Sequence, residues 1–417
     1  MPTDSLVADL AAELASIPVI DPHSHINPLA PVSRSLDDIL GYHYYTELAH
    51  SAGMSQSVLS HNTPPRERVR EILRYMARYD NTVQYTWFVE IAQTFLGFPK
   101  QQVTVADTDQ LFDEAEKRFA QPDWERQVIQ RTKLERIVLT NEFDDPLEGF
   151  DTSFYIPCLR TDTLVFQLDK PETRRQIEAA TGVVVRDAGT LRKALAKIFL
   201  HFSRHGAKAA AISLPPNFHP APFDDEHFYE QMQFHDFQDL APGIFWMIAE
   251  FCREFRLPFD LMIGVNRRVY SHGVFQGQDL FDQRTSLLQY KDLFNAFPDV
   301  LFPISVLTSG QNQELVAYAW IFPNVLPHGH WWYSNTPAYI RKDLTERLTA
   351  VPKTKLIGYY SDAYKLEFVL PKYAMYKRVL AHVLADEFVR PGLLSEQQAV
   401  DLGTRLLRDN VREVFKL

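Results

Sequence analysis

The sequence predicts an α/β protein built as a distorted (β/α)8 barrel, a TIM barrel with a helical insertion after its first strand and a helical C-terminal segment. Three observations carry this expectation. Eight short apolar runs bounded by polar or turn residues recur along the 417-residue chain. Helical patterns fit between most of them, the alternation that gives a parallel sheet. The one long break, about a hundred residues between the first two runs, is too long for a bare loop and carries helical patterns of its own.

The runs are Pro18–Pro22, Arg136–Thr140, Phe154–Arg160, Lys208–Leu214, Pro258–Gly264, Leu301–Leu307, Asn324–His330 and Lys355–Asp362. Helices are expected at Leu191–Ser203, Gly243–Phe255, Arg284–Phe297 and Leu344–Val351. Between the second and third runs there is too little chain for a crossover helix. Arg66–Tyr79, Val83–Phe95 and Leu111–Phe119 read as helices of an insertion spanning residues 35–130, placed over the barrel mouth within one domain of residues 1–417. Tyr373–Glu387 and Ser395–Phe415 read as C-terminal helices. An open doubly wound sheet is the alternative on pattern alone. No G-x-G-x-x-G follows the first run and no G-x-x-x-x-G-K-[ST] occurs, so neither a dinucleotide site nor a P-loop is indicated.

Composition narrows the function. With 46% hydrophobic and 23% charged residues, the chain can bury a substantial core. A formal charge of -10 argues against a general nucleic-acid binder, while leaving room for a basic pocket. The two cysteines, Cys158 and Cys252, lie in apolar patterns and read as packing residues of a protein in a reducing compartment. No Lys or Arg precedes Arg34, the wrong charge pattern for a secretory signal, and no charge-free apolar run approaches the ~20 residues that span a bilayer. A cytoplasmic protein with neither nucleic-acid nor membrane partners is expected, and homo-oligomerisation is compatible with the sequence.

The chemistry concentrates at the C-terminal ends of the runs, where barrel enzymes place their sites. The first run ends in Asp21-Pro22-His23-Ser24-His25. Residues two apart in extended chain point to the same side, so His23 and His25 can reach one metal ion; the bland alternative is a pair of surface histidines. The eighth run ends in Ser361-Asp362, which in a closed barrel faces the first. Asp362 is therefore a candidate third ligand or base, or otherwise a helix N-cap. Two His and one Asp leave positions open for substrate. Arg160 closes the third run and can take a carboxylate with its planar fork, or pair with Asp162 instead. Arg267 follows the fifth run beside Asn266 and Arg268, either a mouth cation or a solvated loop residue. His43 and Tyr44 begin the insertion and can reach into the mouth. His328 and His330, a second H-x-H at the end of the seventh run, read as pocket-lining residues or an additional ligand. Trp331 with Trp332 and Tyr333 offers a stacking wall or plain core.

Taken together, these residues resemble the uronate (glucuronate) isomerase family, a divergent branch of the amidohydrolase superfamily. Asp21-Pro22-His23-Ser24-His25 resembles its D-P-H-[CS]-H metal motif, and Gly41-Tyr42-His43-Tyr44 through Gly53 its G-D-H-Y-K-W-R-x-M-R-x-x-G stretch. Thr140 through Leu147, Pro157–Asp162, Trp331-Trp332-Tyr333 and Gly358–Asp362 are similar to its T-x-D-D-P, P-T-F-R-P-D, W-W-F and G-M-L-T-D-S-R segments, in family order. The departures are specific. Ala363-Tyr364 stands where the family has an Arg after the eighth-strand Asp, Glu47 replaces the Arg of H-Y-K-W-R, and Met262 replaces a fifth-strand His. Ala211-Ile212 stands near the family's Asp-His pair. The absence of histidines ending the fifth and sixth runs and of a bridging Lys or Glu after Ser213-Leu214 points to one metal rather than two.

The resemblance implies aldose–ketose isomerisation of a hexuronate, such as glucuronate or galacturonate, by proton transfer between C2 and C1. Arg160 would hold the carboxylate, with His328, His330, Trp331 and Arg267 as further substrate contacts. The metal with His43 or Tyr44 would stabilise the enediolate, and Asp362 or water at the metal would move the proton. It implies one divalent ion, Zn2+, with Mn2+ or Fe2+ also suited to His/His/Asp ligands. Two other readings remain open: a single-metal hydrolase, lactonase or decarboxylase of another small carboxylic acid, and a barrel that binds a sugar acid without turning it over.

Overall fold

Every pairing between barrel strands is parallel, and the ring they form is irregular at two places that shape the site. A computed structural model describes residues 4–224, 226, 228 and 240–417. Strand β1 (Val19–Asp21) pairs with β2 (Leu134–Val138), and β2 with β3 (Tyr155–Ile156). A second sheet runs β4 (Cys158–Arg160), β5 (Ala209–Leu214), β6 (Phe259–Ile263), β9 (Phe302–Val306) and β10 (Val325–Pro327). Two short antiparallel strands, β7 (Val265–Asn266) and β8 (Leu280–Phe281), form a hairpin after β6 that the sequence pattern did not predict.

The first irregularity lies between β3 and β4. They are one segment of chain interrupted by Pro157, which has no N–H to give to a ladder. β3 stays with β2 and β4 joins β5, so the segment links the two sheets, and Asn141 bridges to Leu159 across the join. The second irregularity corrects an expectation. Residues 355–362 do not form a regular eighth strand; Ile357 alone bridges to His328. The Gly358 N–H turns away to Leu406 O in the π-helical stretch Arg405–Asp409, at 3.0 Å. Closure onto β1 is made instead by the Asp21 carboxylate, which accepts from Ser361 N–H at 2.9 Å and from the Ser361 hydroxyl.

The crossover helices follow from sequence signals. Ala188–Arg204 starts at Asp187, whose Oδ1 accepts from Thr190 N–H at 2.7 Å, and buries Leu191, Leu195, Ile198 and Phe202 along one stripe. Ala241–Phe255 and Pro337–Ala350 begin with proline in the first turn, where its missing N–H costs nothing. The expected helix over Arg284–Phe297 is shorter, because Ser286 and Gln289 cap a 3-10 turn at Leu287–Tyr290 that leads into Lys291–Ala296. No helix separates β2 from β3, as the short connection requires. The region after β1 carries helices Pro65–Met76, Val83–Leu96 and Thr108–Phe119, and also His43–Ser51 and Trp124–Thr132, which periodicity did not reveal.

Ile20, Val138, Ile156, Cys158, Ala209, Ala211, Leu326 and Ile357 share one buried cluster with Val411, Val414 and Phe415 of the C-terminal helix. The strands' inward residues are thus closed off at one end by the last helix, which leaves the other end for the site. Gly329 sits at the closure in the left-handed region (φ 53°), and an added Cβ would stand 2.2 Å from the Tyr360 ring. Gly329→Ala is expected to lower stability by about 1–3 kcal/mol, read as a denaturant-midpoint shift at constant m; an unchanged midpoint would show that Tyr360 yields freely.

Candidate active site

β1 delivers His23 and His25 to the open end of the barrel, and the irregular 355–362 run delivers Asp362 opposite them. One ligand atom from each lies within 4.8 Å of the others. Asp362 Oδ1 stands 3.2 Å from His25 Nε2 and 3.9 Å from His23 Nε2. The carboxylate reaches inward because Asp362 adopts φ 52°, a conformation costing roughly 1 kcal/mol or more that neighbours must enforce. Its N–H donates to His23 O at 3.2 Å, its carbonyl accepts from Tyr42 OH at 2.8 Å, and His25 N–H donates to Ala363 O at 2.8 Å. Buried Lys372 reinforces this turn, giving N–H bonds to Ser361 O (2.7 Å) and Tyr42 OH (2.9 Å). Its ammonium lies about 5 Å from the ring centroids of Tyr42, Tyr44 and Trp87. Burial brings the Lys372 pKa down to about 8.

The hydrogen-bond network assigns both tautomers. A hydroxyl has one proton, and that of Thr140 goes to Ser24 O at 3.0 Å. Thr140 Oγ1 must then accept from His25 Nδ1–H at 2.7 Å, which leaves His25 Nε2 with a free lone pair. His23 Nδ1–H donates to Asp260 Oδ2 at 3.0 Å, so its Nε2 is likewise bare. The other oxygen of Asp260 takes His328 Nδ1–H, also at 3.0 Å. Burial alone would raise the Asp260 pKa, but His328 and His23 outweigh it and hold the carboxyl well below the usual range. Asp362 is likewise brought to about 2, its burial overcome by His25 and His23.

His23 Nε2 and Asp362 Oδ1 are buried and have no hydrogen-bond partner among the described residues. Unpaired buried polar atoms are costly, and two bare imidazole nitrogens facing a carboxylate are a donor set that one divalent cation satisfies. The residues fit a single metal ion.

A recess of about 550 Å³, its open mouth included, adjoins this trio; His43, Arg160, Arg267 and Trp331 line it, as do Trp332, Met262 and Tyr364. Arg160 is held between Asp162 Oδ2 and Glu142 Oε1, each at 3.3 Å, so the ion pair with Asp162 and exposure to the recess coexist. Arg267 comes from the β7–β8 hairpin and pairs with Asp279 at 2.6 Å. His43 heads helix His43–Ser51 and bonds Glu47 through Nδ1 at 2.6 Å. Tyr44 lies behind it, buried, its ring stacked on that of His43 at 4.2 Å and its hydroxyl without a partner among the described residues.

Besides Tyr44, which stands behind His43 and outside the recess lining, two residues depart from expectation. His328 and His330 do not line the recess: they are buried at 0% and 1% exposure. The left-handed Gly329 breaks the alternation that would have turned both the same way. His328 turns to Asp260, and His330 packs 3.9 Å from Asp343 Oδ2. Burial, helped by Arg347, holds the His330 pKa well below its ordinary value, so its ring is neutral. The residues that sequence reasoning missed are Asp260, Asp21, Tyr42, Lys372 and Thr140. Asp260 and Asp21 left a trace as carboxylates inside the apolar runs Pro258–Gly264 and Pro18–Pro22, and Tyr42 and Thr140 lie in the family-like segments, whereas Lys372 left none.

Because Asp260 orients the His23 imidazole of the candidate metal trio, Asp260→Asn is expected to weaken metal affinity about 10–100-fold, measured by competition with a chelator. An unchanged affinity would remove Asp260 from the centre.

The sequence profile of the glucuronate isomerase family matches residues 4–412. A uronate isomerase of Thermotoga maritima is 22% identical over 99% of this chain and 98% of its own. The crystal structure of uronate isomerase from Thermotoga maritima superposes with a TM-score of 0.90 at 19% identity, covering 99% of this chain and 98% of that one. That of glucuronate isomerase from Caulobacter crescentus gives 0.90 at 18% identity, over 100% and 95%. With barrel, trio and near-full-length profile in agreement, the chain belongs to the glucuronate isomerase family.

Proposed function

We infer that this protein interconverts an aldohexuronate and the corresponding ketohexuronate. The observation that carries the reading is one recess lined by the Arg160 guanidinium and by His25 and Asp362 of the His23/His25/Asp362 trio, in a chain of this family. A divalent ion, zinc by family resemblance and manganese or iron by ligand type, would be held by His23 Nε2, His25 Nε2 and Asp362, and would polarise the substrate's carbonyl oxygen.

The chain's own groups divide the remaining work. Arg160 takes the substrate carboxylate, its fork oriented by Glu142 and Asp162. Arg267, half exposed on the hairpin, adds a second cation at the mouth. Trp331 and Trp332 form an apolar wall that limits water. Asp362 moves the carbon-bound proton from C2 to C1. His43, with Nε2 free of protein partners among the described residues, accepts the proton leaving O2 and returns one to O1. Tyr44 supports the His43 ring from behind. The reaction is redox-neutral within the sugar, because C1 is reduced as C2 is oxidised. Among the described residues no helix is long and apolar enough to cross a membrane, which suits an enzyme for a small acidic sugar working in the cytoplasm.

Proton NMR of glucuronate and galacturonate with metal-loaded protein tests the reading, and interconversion with the ketose of one of them is expected. Arg160→Met is expected to raise KM about ten- to a hundredfold, the loss of a charged hydrogen bond. Hydrolysis of a lactone, with both hexuronates untouched and metal present, would overturn the isomerase in favour of a hydrolase.

A further inference from the structure

We propose that Glu47 is a positioning residue for His43, holding it in one tautomer with its free lone pair toward the substrate; the proposal rests on the isomerase reading for its catalytic consequence only. Glu47 stands where the resembling family carries a basic residue, and an arginine has no acceptor to offer an imidazole N–H. The structure supplies the reason for a carboxylate. His43 and Glu47 lie one turn apart on the same helix face, and His43 Nδ1 approaches Glu47 Oε1 to 2.6 Å. An ionised carboxylate only accepts, so Nδ1 carries the proton and Nε2 is bare.

Glu47 is itself held from two other sides. Its second oxygen accepts from Trp332 Nε1–H at 3.4 Å. The hairpin loop closes over it so tightly that a Cβ at Gly277 would stand 2.7 Å from Glu47 Cγ. Insertion helix, hairpin and the Trp331–Trp332 turn therefore meet on one side chain, which is 16% exposed. The ring it holds is clamped further, stacked on Tyr44 at 4.2 Å and set edge-on to Trp332 at 5.4 Å. The carbon-bound proton travels from C2 to C1 and the hydroxyl proton from O2 to O1. His43 takes and returns the second of these, ending neutral as it began, with no external acid, base or oxidant consumed. A group in that position must begin as an acceptor, and the Glu47 bond keeps the neutral ring's proton on Nδ1, away from the substrate.

The test pairs kinetics with the nitrogen NMR shifts of His43, assigned by their loss in His43→Gln, in metal-loaded wild type, Glu47→Gln and Glu47→Leu. Wild type is expected in the Nδ1–H form. Glu47→Leu is expected to mix the tautomers and to lower kcat about ten- to a hundredfold, with KM within twofold and metal content unchanged. The isosteric Glu47→Gln, able to accept through its amide oxygen, is expected to recover part of both. An Nε2–H tautomer in wild type overturns the proposal whether or not the protein is active. So does an unchanged tautomer and kcat in Glu47→Leu of an enzyme that turns over hexuronate. Inactive wild type with His43 in the Nδ1–H form, and a tautomer that responds to Glu47→Leu, removes the isomerase reading and leaves the positioning role standing.

Discussion

Inside the barrel, on β6, the carboxylate of Asp260 has no water to face, and each of its oxygens instead takes one imidazole N–H. One proton comes from His23 at the end of the first run and the other from His328 at the end of the seventh. The arrangement stitches three strands together through a group that would be prohibitively unfavourable if left unpaired. It also decides chemistry: with Nδ1 committed to Asp260, the neutral His23 ring presents a bare Nε2 to Asp362. The same logic governs His25, whose Nδ1 is committed to Thr140.

Asp362 completes the trio only because the barrel closes irregularly. A regular ladder through residues 355–362 would keep the chain extended and carry the carboxylate past the histidines. The closure instead uses side chains, Asp21 on Ser361 and Lys372 on the Ser361 carbonyl, and these hold Asp362 in a left-handed conformation that extended chain would not visit. A fully buried lysine is an expensive support. It is tolerated because two oxygens and three aromatic faces surround its ammonium.

Much of the barrel could be read from the chain, because strand-forming runs and amphipathic helices leave local periodic signals. Seven of the eight runs contribute paired strands, and the missing crossover before the third was visible in the spacing alone. His23, His25 and Asp362 were legible because strand ends in a closed barrel are neighbours. What was not legible depended on contacts distant in sequence or on single backbone angles. Asp260 and Lys372 acquire meaning only from partners at positions 23, 328, 361 and 42. Strand alternation through His328-Gly329-His330 would turn both rings the same way, and one positive φ at Gly329 sends them elsewhere. The helix His43–Ser51 was hidden because its buried residues His43, Tyr44, Tyr45, Thr46 and Ala49 include polar types that carry no hydrophobic stripe.

The site is thus a scaffold in which neighbouring oxygens set which nitrogen of each histidine is free: Asp260 for His23, Thr140 for His25 and Glu47 for His43. The most direct measurement of that central claim is anomalous diffraction from metal-loaded crystals at the absorption edge of the ion. The account requires one strong peak bonded to His23 Nε2, His25 Nε2 and an Asp362 oxygen. A peak bonded through Nδ1 of either histidine, or metal bound elsewhere with the trio empty, would contradict it.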